Sequence, residues 1–127
     1  MGEKKPFETN KAAVMGGPYS QAIIHKNLIY ISGQGPVDPV TNRVRLGSIE
    51  EETQITLENI RIILEEAGSS LDKVLQVGVY LLNIKEYSRF NDVYRQYFLK
   101  DPPARSCIQA AKLPFGIRVE VDAVAYI

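Results

Sequence analysis

Histidine and cysteine each occur once in this chain and tryptophan not at all, while 15 Lys and Arg residues balance 15 Asp and Glu. Each shortage excludes a class of function. Cys107 has no second cysteine with which to form an internal disulfide. One cysteine and one histidine leave too few soft ligands for a zinc centre, so no metal and no cofactor are expected. A Cys–His nucleophilic pair would have to join Cys107 to His25, which lies in a predicted turn where facing solvent is the default. The even charge leaves no basic excess to neutralise phosphates, which argues against nucleic acid as a partner.

Long apolar runs are also missing. The longest, "LIYI" and "VYLL", fall far short of the roughly 20 residues a membrane-spanning helix needs. The opening "MGEKKPFETN" is charged with no apolar stretch behind it, and Pro6 stands where a myristoylation signal has Ser or Thr. These features lead to the expectation of a soluble, cytoplasmic protein. At 127 residues, 45% of them hydrophobic, the chain fits one domain over 1–127.

What is present is a series of short periodic segments. "AIIHKNLIYISG" holds two apolar runs around His25-Lys26-Asn27, the spacing of a hairpin. "GPVDPVTNRVRLG" offers a second turn opened by Asp38-Pro39, with Asn42 tolerating a left-handed backbone, so three strands are expected before the first helix. From Ile49 to Ala67 the period changes to about 3.6, with Ile49, Thr53, Thr56, Leu57, Ile60, Ile63, Leu64 and Ala67 on one face. Ser48 is the expected N-cap and Gly68 the left-handed stop. Ile55 and Ile62 lie on the other side of this helix, as scattered surface apolarity or a contact with another chain.

"KVLQVGVYLL" returns to β character. "KEYSRFNDVYRQYF" is helical, with Tyr87, Phe90, Asn91, Tyr94, Tyr97 and Phe98 on one face, an aromatic stripe that reads mainly as core. "RSCIQAA" and "IRVEVDAVAYI" close the chain as strands. The order βββαβαββ predicts an α+β fold, a mixed sheet with two helices on one face. In the last strand Ile117, Val119, Val121, Ala123 and Ala125 point one way, and Arg118, Glu120, Asp122, Val124 and Tyr126 the other. Two helices cannot cover both faces, so this polar side is either solvated or packed against other subunits.

Within "PPARSCIQ" one strand face carries both Arg105 and Cys107. A planar guanidinium matches both oxygens of a carboxylate, so Arg105 either grips a carboxylate ligand or pairs with Glu120 or Asp122 on a nearby strand. Gly16-Gly17-Pro18-Tyr19-Ser20 lacks the Gly-Lys-Ser/Thr end of a phosphate loop and reads as a tight turn that lays Tyr19 over a cleft. Gly33-Gln34-Gly35 is a strand end or a place of close backbone approach to a ligand.

Together, "GGPYSQAI", "YISGQGPVDPVTN", "FNDVYRQYF", "PPARSCIQAAKLP" and "VEVDAVAYI" resemble the Rid (YjgF) family of reactive-intermediate deaminases, from about Pro18 to Tyr126. The resemblance implies a chorismate-mutase-like subunit and a homotrimer with clefts at the subunit seams. It also implies hydrolysis of small 2-imino acids, such as 2-iminopropanoate and 2-iminobutanoate, to 2-oxo acids and ammonia. By position, Arg105 matches the carboxylate-binding arginine, Glu120 the acid near the attacking water and Tyr19 the cleft tyrosine. Ser32, Gly33 and Asn91 match positions near the ligand, and Cys107 matches a cysteine whose backbone, not its thiol, lies there. Phe115 and Arg118 depart from the family pattern. If Arg118 shares the face of Glu120, an ion pair between them would lower the basicity of that carboxylate. The same cleft would also suit a trimer that binds 2-oxo acids without turnover. Ribonuclease or translation-inhibitor activity, reported for some relatives, lacks a His or Lys pair here.

Overall fold

A computed structural model describes residues 2–127; Met1, first of the stretch read as carrying no leader, lies outside them. Six strands and two helices follow in the order β1 (Lys5–Phe7), β2 (Ala22–His25), β3 (Leu28–Gln34), α1 (Ile49–Glu66), β4 (Val74–Leu81), α2 (Tyr87–Tyr97), β5 (Ala104–Gln109) and β6 (Val119–Tyr126). They form one mixed sheet of order β1-β2-β3-β6-β4-β5. All pairs are antiparallel except β4 with β5, which run parallel because α2 crosses between them.

The expected hairpin is β2–β3, turning at Lys26 and Asn27 with Lys26 left-handed at φ 56°. The expected third strand after the Asp38 turn does not form. Asn42 does take the left-handed backbone (φ 60°), and Asp38 Oδ1 accepts the Val40 and Thr41 N–H groups, but only Val37 and Val44 pair. Pro36 and Pro39 supply no ladder donors, so pairing cannot extend. The extra strand is instead β1, three residues at the sheet edge. Its Pro6 is tolerated because an edge strand has one unpaired side.

Helix α1 begins in a full capping box: Ser48 Oγ accepts the Glu51 N–H, and the Glu51 carboxylate accepts the Ser48 N–H. It ends before Gly68, left-handed at φ 86°. Its apolar face packs on β3 and β6 and its flank on α2. Phe90 and Tyr94 of α2, and Phe98 just after its end, enter the same core as Ile60, Leu64, Val77, Val79 and Val121. Both helices therefore cover one sheet face. Ile62 packs partly against that core, while Ile55 is half-buried.

Two buried polar residues of α1 tie the loops to this frame. Asn59, fully buried, accepts the Ala13 N–H at 2.8 Å and donates to the carbonyls of Val37 (2.7 Å) and Ile55 (3.2 Å). Glu52, 1% exposed, accepts the backbone N–H groups of Gly47 and Arg118 at 3.0 and 2.7 Å. Asn59→Ala strands the Ala13 donor and the Val37 acceptor in the core, at about 1–3 kcal/mol for each unsatisfied group. Ser48→Ala removes one exposed cap, at about 1 kcal/mol. Urea unfolding is expected to place Asn59→Ala clearly below Ser48→Ala, and the reverse order would remove Asn59 as the anchor of the loop around Ala13.

Candidate functional site

The alternation of β6 distributes the chemistry. Val119, Val121, Ala123 and Ala125 are all at most 3% exposed beneath the helices, so Glu120 and Asp122 must emerge on the opposite, open face. Glu120 lies beside Tyr80 of β4, and Asp122 beside Gly78. Asp122 accepts the Gly78 N–H at 3.1 Å and the Tyr80 hydroxyl at 3.0 Å. Among the described residues Glu120 has no such donors. Burial first, and then the charge of Asp122, push its carboxyl above the usual glutamate range.

Glu120 opens into a cavity of about 310 Å3, whose lining includes Tyr19, Gly33, Val37, Phe115 and Ile117. Tyr19 is 54% exposed at the rim. Its ring lies over Gly17, where a β-carbon would stand 2.6 Å from Cε2. Ser32 does not face a ligand freely: its hydroxyl donates to the Ser20 carbonyl at 2.6 Å, tying the turn that carries Tyr19 to β3. Gly33 touches Glu120 so closely that a methyl group there would overlap the carboxylate, with Cδ at 2.9 Å. Glycine at this position is what lets the acid lie flat against the strand.

Arg105 lies elsewhere. In β5 it pairs with Val77 and Cys107 with Val79, both residues of the helix-covered face. The side chain runs under α2, donating to Asn91 Oδ1 at 2.9 Å and to the Tyr87 hydroxyl at 3.0 Å. Its guanidinium carbon stands 4.6 Å from the centre of the Tyr94 ring, 5.5 Å from Tyr87 and 5.7 Å from Phe90. Neither Glu120 nor Asp122 pairs with it, and among the described residues no carboxylate lies within 4.0 Å. The Tyr94 hydroxyl is buried without a hydrogen-bond partner among the described residues, and burial raises its pKa to about 12. Asn91, Tyr94 and Arg105 border an open hollow of about 270 Å3.

Cys107 is half-buried against the core, and burial pushes its thiol up despite a smaller opposing pull from Arg105. A raised thiol pKa disfavours the nucleophilic thiolate. Arg118 immediately precedes β6 and turns away from Glu120, to Glu86 at 3.1 Å, the Gly47 carbonyl at 2.9 Å and Glu52 at 3.9 Å. It therefore leaves the basicity of Glu120 untouched. Tyr87 is a neighbour of Arg105 that the sequence pattern hid. Its place on the aromatic stripe reads as core, yet it is 40% exposed and holds Arg105.

The candidate site residues thus fall into two groups. Tyr19, Gly33 and Glu120 meet on the open face; Arg105, Asn91, Tyr87 and Cys107 meet on the helix-covered side at the β5 edge. A larger hollow of about 380 Å3, lined by Glu65, Asp72, Leu99, Lys100 and Asp101 among others, includes none of these residues.

A carbon-13 titration is expected to place the Glu120 midpoint above that of an ordinary glutamate, about 4.3. Asp122→Asn is expected to lower it only part of the way, because burial remains. With its folded pKa raised, Glu120 binds its proton more tightly in the folded chain, so its contribution to stability is lost as pH rises through the raised value. A midpoint at or below the ordinary value would remove the desolvated environment described here.

Comparison with known proteins agrees with this architecture. The family model described as Endoribonuclease L-PSP matches residues 9–127. A RutC family protein of Pyrococcus abyssi is 43% identical over 97% of this chain and 97% of its own length. The bovine 2-iminobutanoate/2-iminopropanoate deaminase is 43% identical over 96% of this chain and 89% of its own. The crystal structure of a Rid family protein of unknown function from Yersinia pestis superposes with a TM-score of 0.93, at 38% identity over 98% of this chain and all of that one. With one family model and relatives of this similarity each spanning nearly the whole chain, the protein belongs to the Rid (YjgF) family.

Proposed function

We propose that the protein hydrolyses small 2-imino acids to 2-oxo acids and ammonia, at sites each formed by two copies of the chain in a homotrimer. The observation that carries the reading is Arg105: a guanidinium aligned by neutral side chains and aromatic rings, with no carboxylate among the described residues close enough to pair with it. Such a group is matched by the carboxylate of a ligand. Glu120, desolvated and next to a tyrosine, is matched by a water that must lose a proton. The deaminase name carried by mammalian relatives at about 40% identity supports the same reaction.

The two groups lie on opposite sides of one sheet and are separated by β4, so a single subunit cannot bring both to one small molecule. The open face, with Tyr30, Leu75, Ile108 and Tyr126 all exposed, offers the apolar surface that a second copy would cover. Across such a seam Arg105 of one copy orients the substrate carboxylate while Glu120 of the next positions water at the imine carbon. The water oxygen bonds to that carbon as Glu120 takes one water proton and passes it to the imine nitrogen, giving an amino alcohol. Glu120 then takes the hydroxyl proton and delivers it to the nitrogen as the C–N bond breaks, so that the oxygen becomes the carbonyl of the 2-oxo acid and the nitrogen leaves as ammonia. Electrophilicity resides in the imine, so orientation and proton transfer suffice for the step.

The endoribonuclease in the family model's description finds less support in this chain. Its single histidine ends strand β2 beside the hairpin turn, and its charge is balanced.

A coupled assay tests the reaction: a dehydratase generates 2-iminopropanoate, and this protein is expected to speed the appearance of pyruvate. Binding of pyruvate without acceleration would make it a binding protein. Arg105→Ala is expected to cost about 2 to 5 kcal/mol in kcat/KM, the range for truncating one partner of a buried charge pair. Arg105→Lys recovers little, because it keeps the charge without the fork. Glu120→Gln lowers turnover while pyruvate still binds.

Mixing Arg105→Ala and Glu120→Gln subunits gives the test specific to a shared site. After random reassortment about one quarter of seams pair an intact Arg105 with an intact Glu120, so activity should return to about that fraction. Failure of the mixture to exceed its components would place both residues' work within one chain and overturn the seam.

A further inference from the structure

The Glu120 cavity is larger and less polar than the reaction requires. Of its lining residues only Glu120 and Tyr19 bear ionisable side chains; Met15, Val37, Val44, Phe115 and Ile117 make it a trough of hydrocarbon and aromatic surface. Its volume, about 310 Å3, corresponds to roughly ten waters at about 30 Å3 each. A methyl-bearing 2-imino acid has six heavy atoms, and its carboxylate belongs at Arg105. Within one chain, much of the trough beyond the reacting atoms is lined by apolar side chains rather than by groups the reaction uses.

Phe115 is the least expected of these walls. It is left-handed, at φ 61° and ψ 15°, a backbone state that glycine adopts freely and a bulky side chain does not. The turn is held by Pro114 on one side and by the Ile117 N–H donating to the Pro114 carbonyl at 3.3 Å on the other. Within one chain the ring gains little from folding, being 65% exposed. Backbone strain and solvent exposure of an aromatic ring both oppose stability, yet together they set a flat apolar surface at the mouth of the trough.

The geometry points to Phe115 as a specificity-determining residue, one that recognises the substrate's side chain and favours branched or aromatic 2-imino acids over those ending in a methyl group. This rests on the carboxylate and imine being handled as described under the proposed function. A long apolar side chain lying in the trough covers the exposed ring, and the water released from both surfaces supplies the preference. A methyl group reaches too little of the ring to do the same.

Calorimetry with product-like 2-oxo acids reads this without requiring turnover. The parent protein is expected to bind 4-methyl-2-oxopentanoate about 10-fold more tightly than pyruvate, a difference that a few buried methylene groups supply. Phe115→Ala should bring the two within about 2-fold, chiefly by weakening the larger ligand, and Phe115→Leu should keep most of the difference. Phe115→Gly separates recognition from a structural role. It relieves the left-handed strain, so the thermal midpoint should hold or rise while the discrimination is lost.

A parent protein that binds both acids equally, or a preference that survives in Phe115→Ala, overturns the inference while leaving the proposed reaction standing, provided Arg105→Ala still abolishes pyruvate binding. A parent protein that binds neither acid overturns the proposed function, and this inference with it.

Discussion

Strand β6 lies in the middle of the sheet, between β3 and β4, and its alternation of buried and exposed residues constrains everything else. Val119, Val121, Ala123 and Ala125 must be covered, and α1 and α2 cover them. A sheet residue cannot serve both faces, so Glu120 and Asp122 are committed to the other side. Arg105 is on the helix-covered side for the same reason, through the register that pairs it with buried Val77. The separation of cation from acid therefore follows from covering one face of one strand, and is not a feature of either residue alone.

Electrostatics follow from that separation. An arginine beside two carboxylates would form an ion pair and lose its capacity to hold an anion. Here Arg105 is kept aligned by Asn91 Oδ1, the Tyr87 hydroxyl and the face of Tyr94, which hold a guanidinium without neutralising it. On the open face the two neighbouring acids are treated differently. Asp122 is satisfied by the Gly78 N–H and the Tyr80 hydroxyl, whereas Glu120 meets a cavity wall and the negative charge of its neighbour. Of two carboxylates two residues apart, one is held by hydrogen-bond donors, while burial raises the proton affinity of the other. The remaining charges are mostly structural: Arg118 is taken up by Glu86 and Gly47, and Arg89 by Glu50.

Local periodicity made much of the fold legible. Both helices, the β2–β3 hairpin, strands β4 to β6 and the caps at Ser48 and Gly68 could be read because each depends on neighbours within a few residues. Strand β1 was hidden because three residues containing a proline show no period. The extra strand expected near Val44 has the right residues, but the prolines around it leave too few donors for a ladder. Glu52 and Asn59 were also missed, since a polar residue on a helix is ordinarily solvated. Their partners, Arg118 and Gly47 for the first, Ala13 and Val37 for the second, lie mostly far along the chain.

What the sequence determined by itself is what short-range pattern can carry: which segments are helix or strand, which strand face is apolar, and the chemical types at Tyr19, Arg105 and Glu120. Spacing also places Arg105 and Cys107 together on one face, because a strand has a period of two whatever surrounds it. Only the tertiary structure decided which face that was and what met it there. Strand order and register put Arg105 under α2 and Glu120 on the open side, turned Arg118 toward Glu86, and exposed Tyr87 and Phe115 where composition would bury them. The physical reason is that burial and ion pairing are properties of neighbours in space, and pairing between distant strands sets those neighbours.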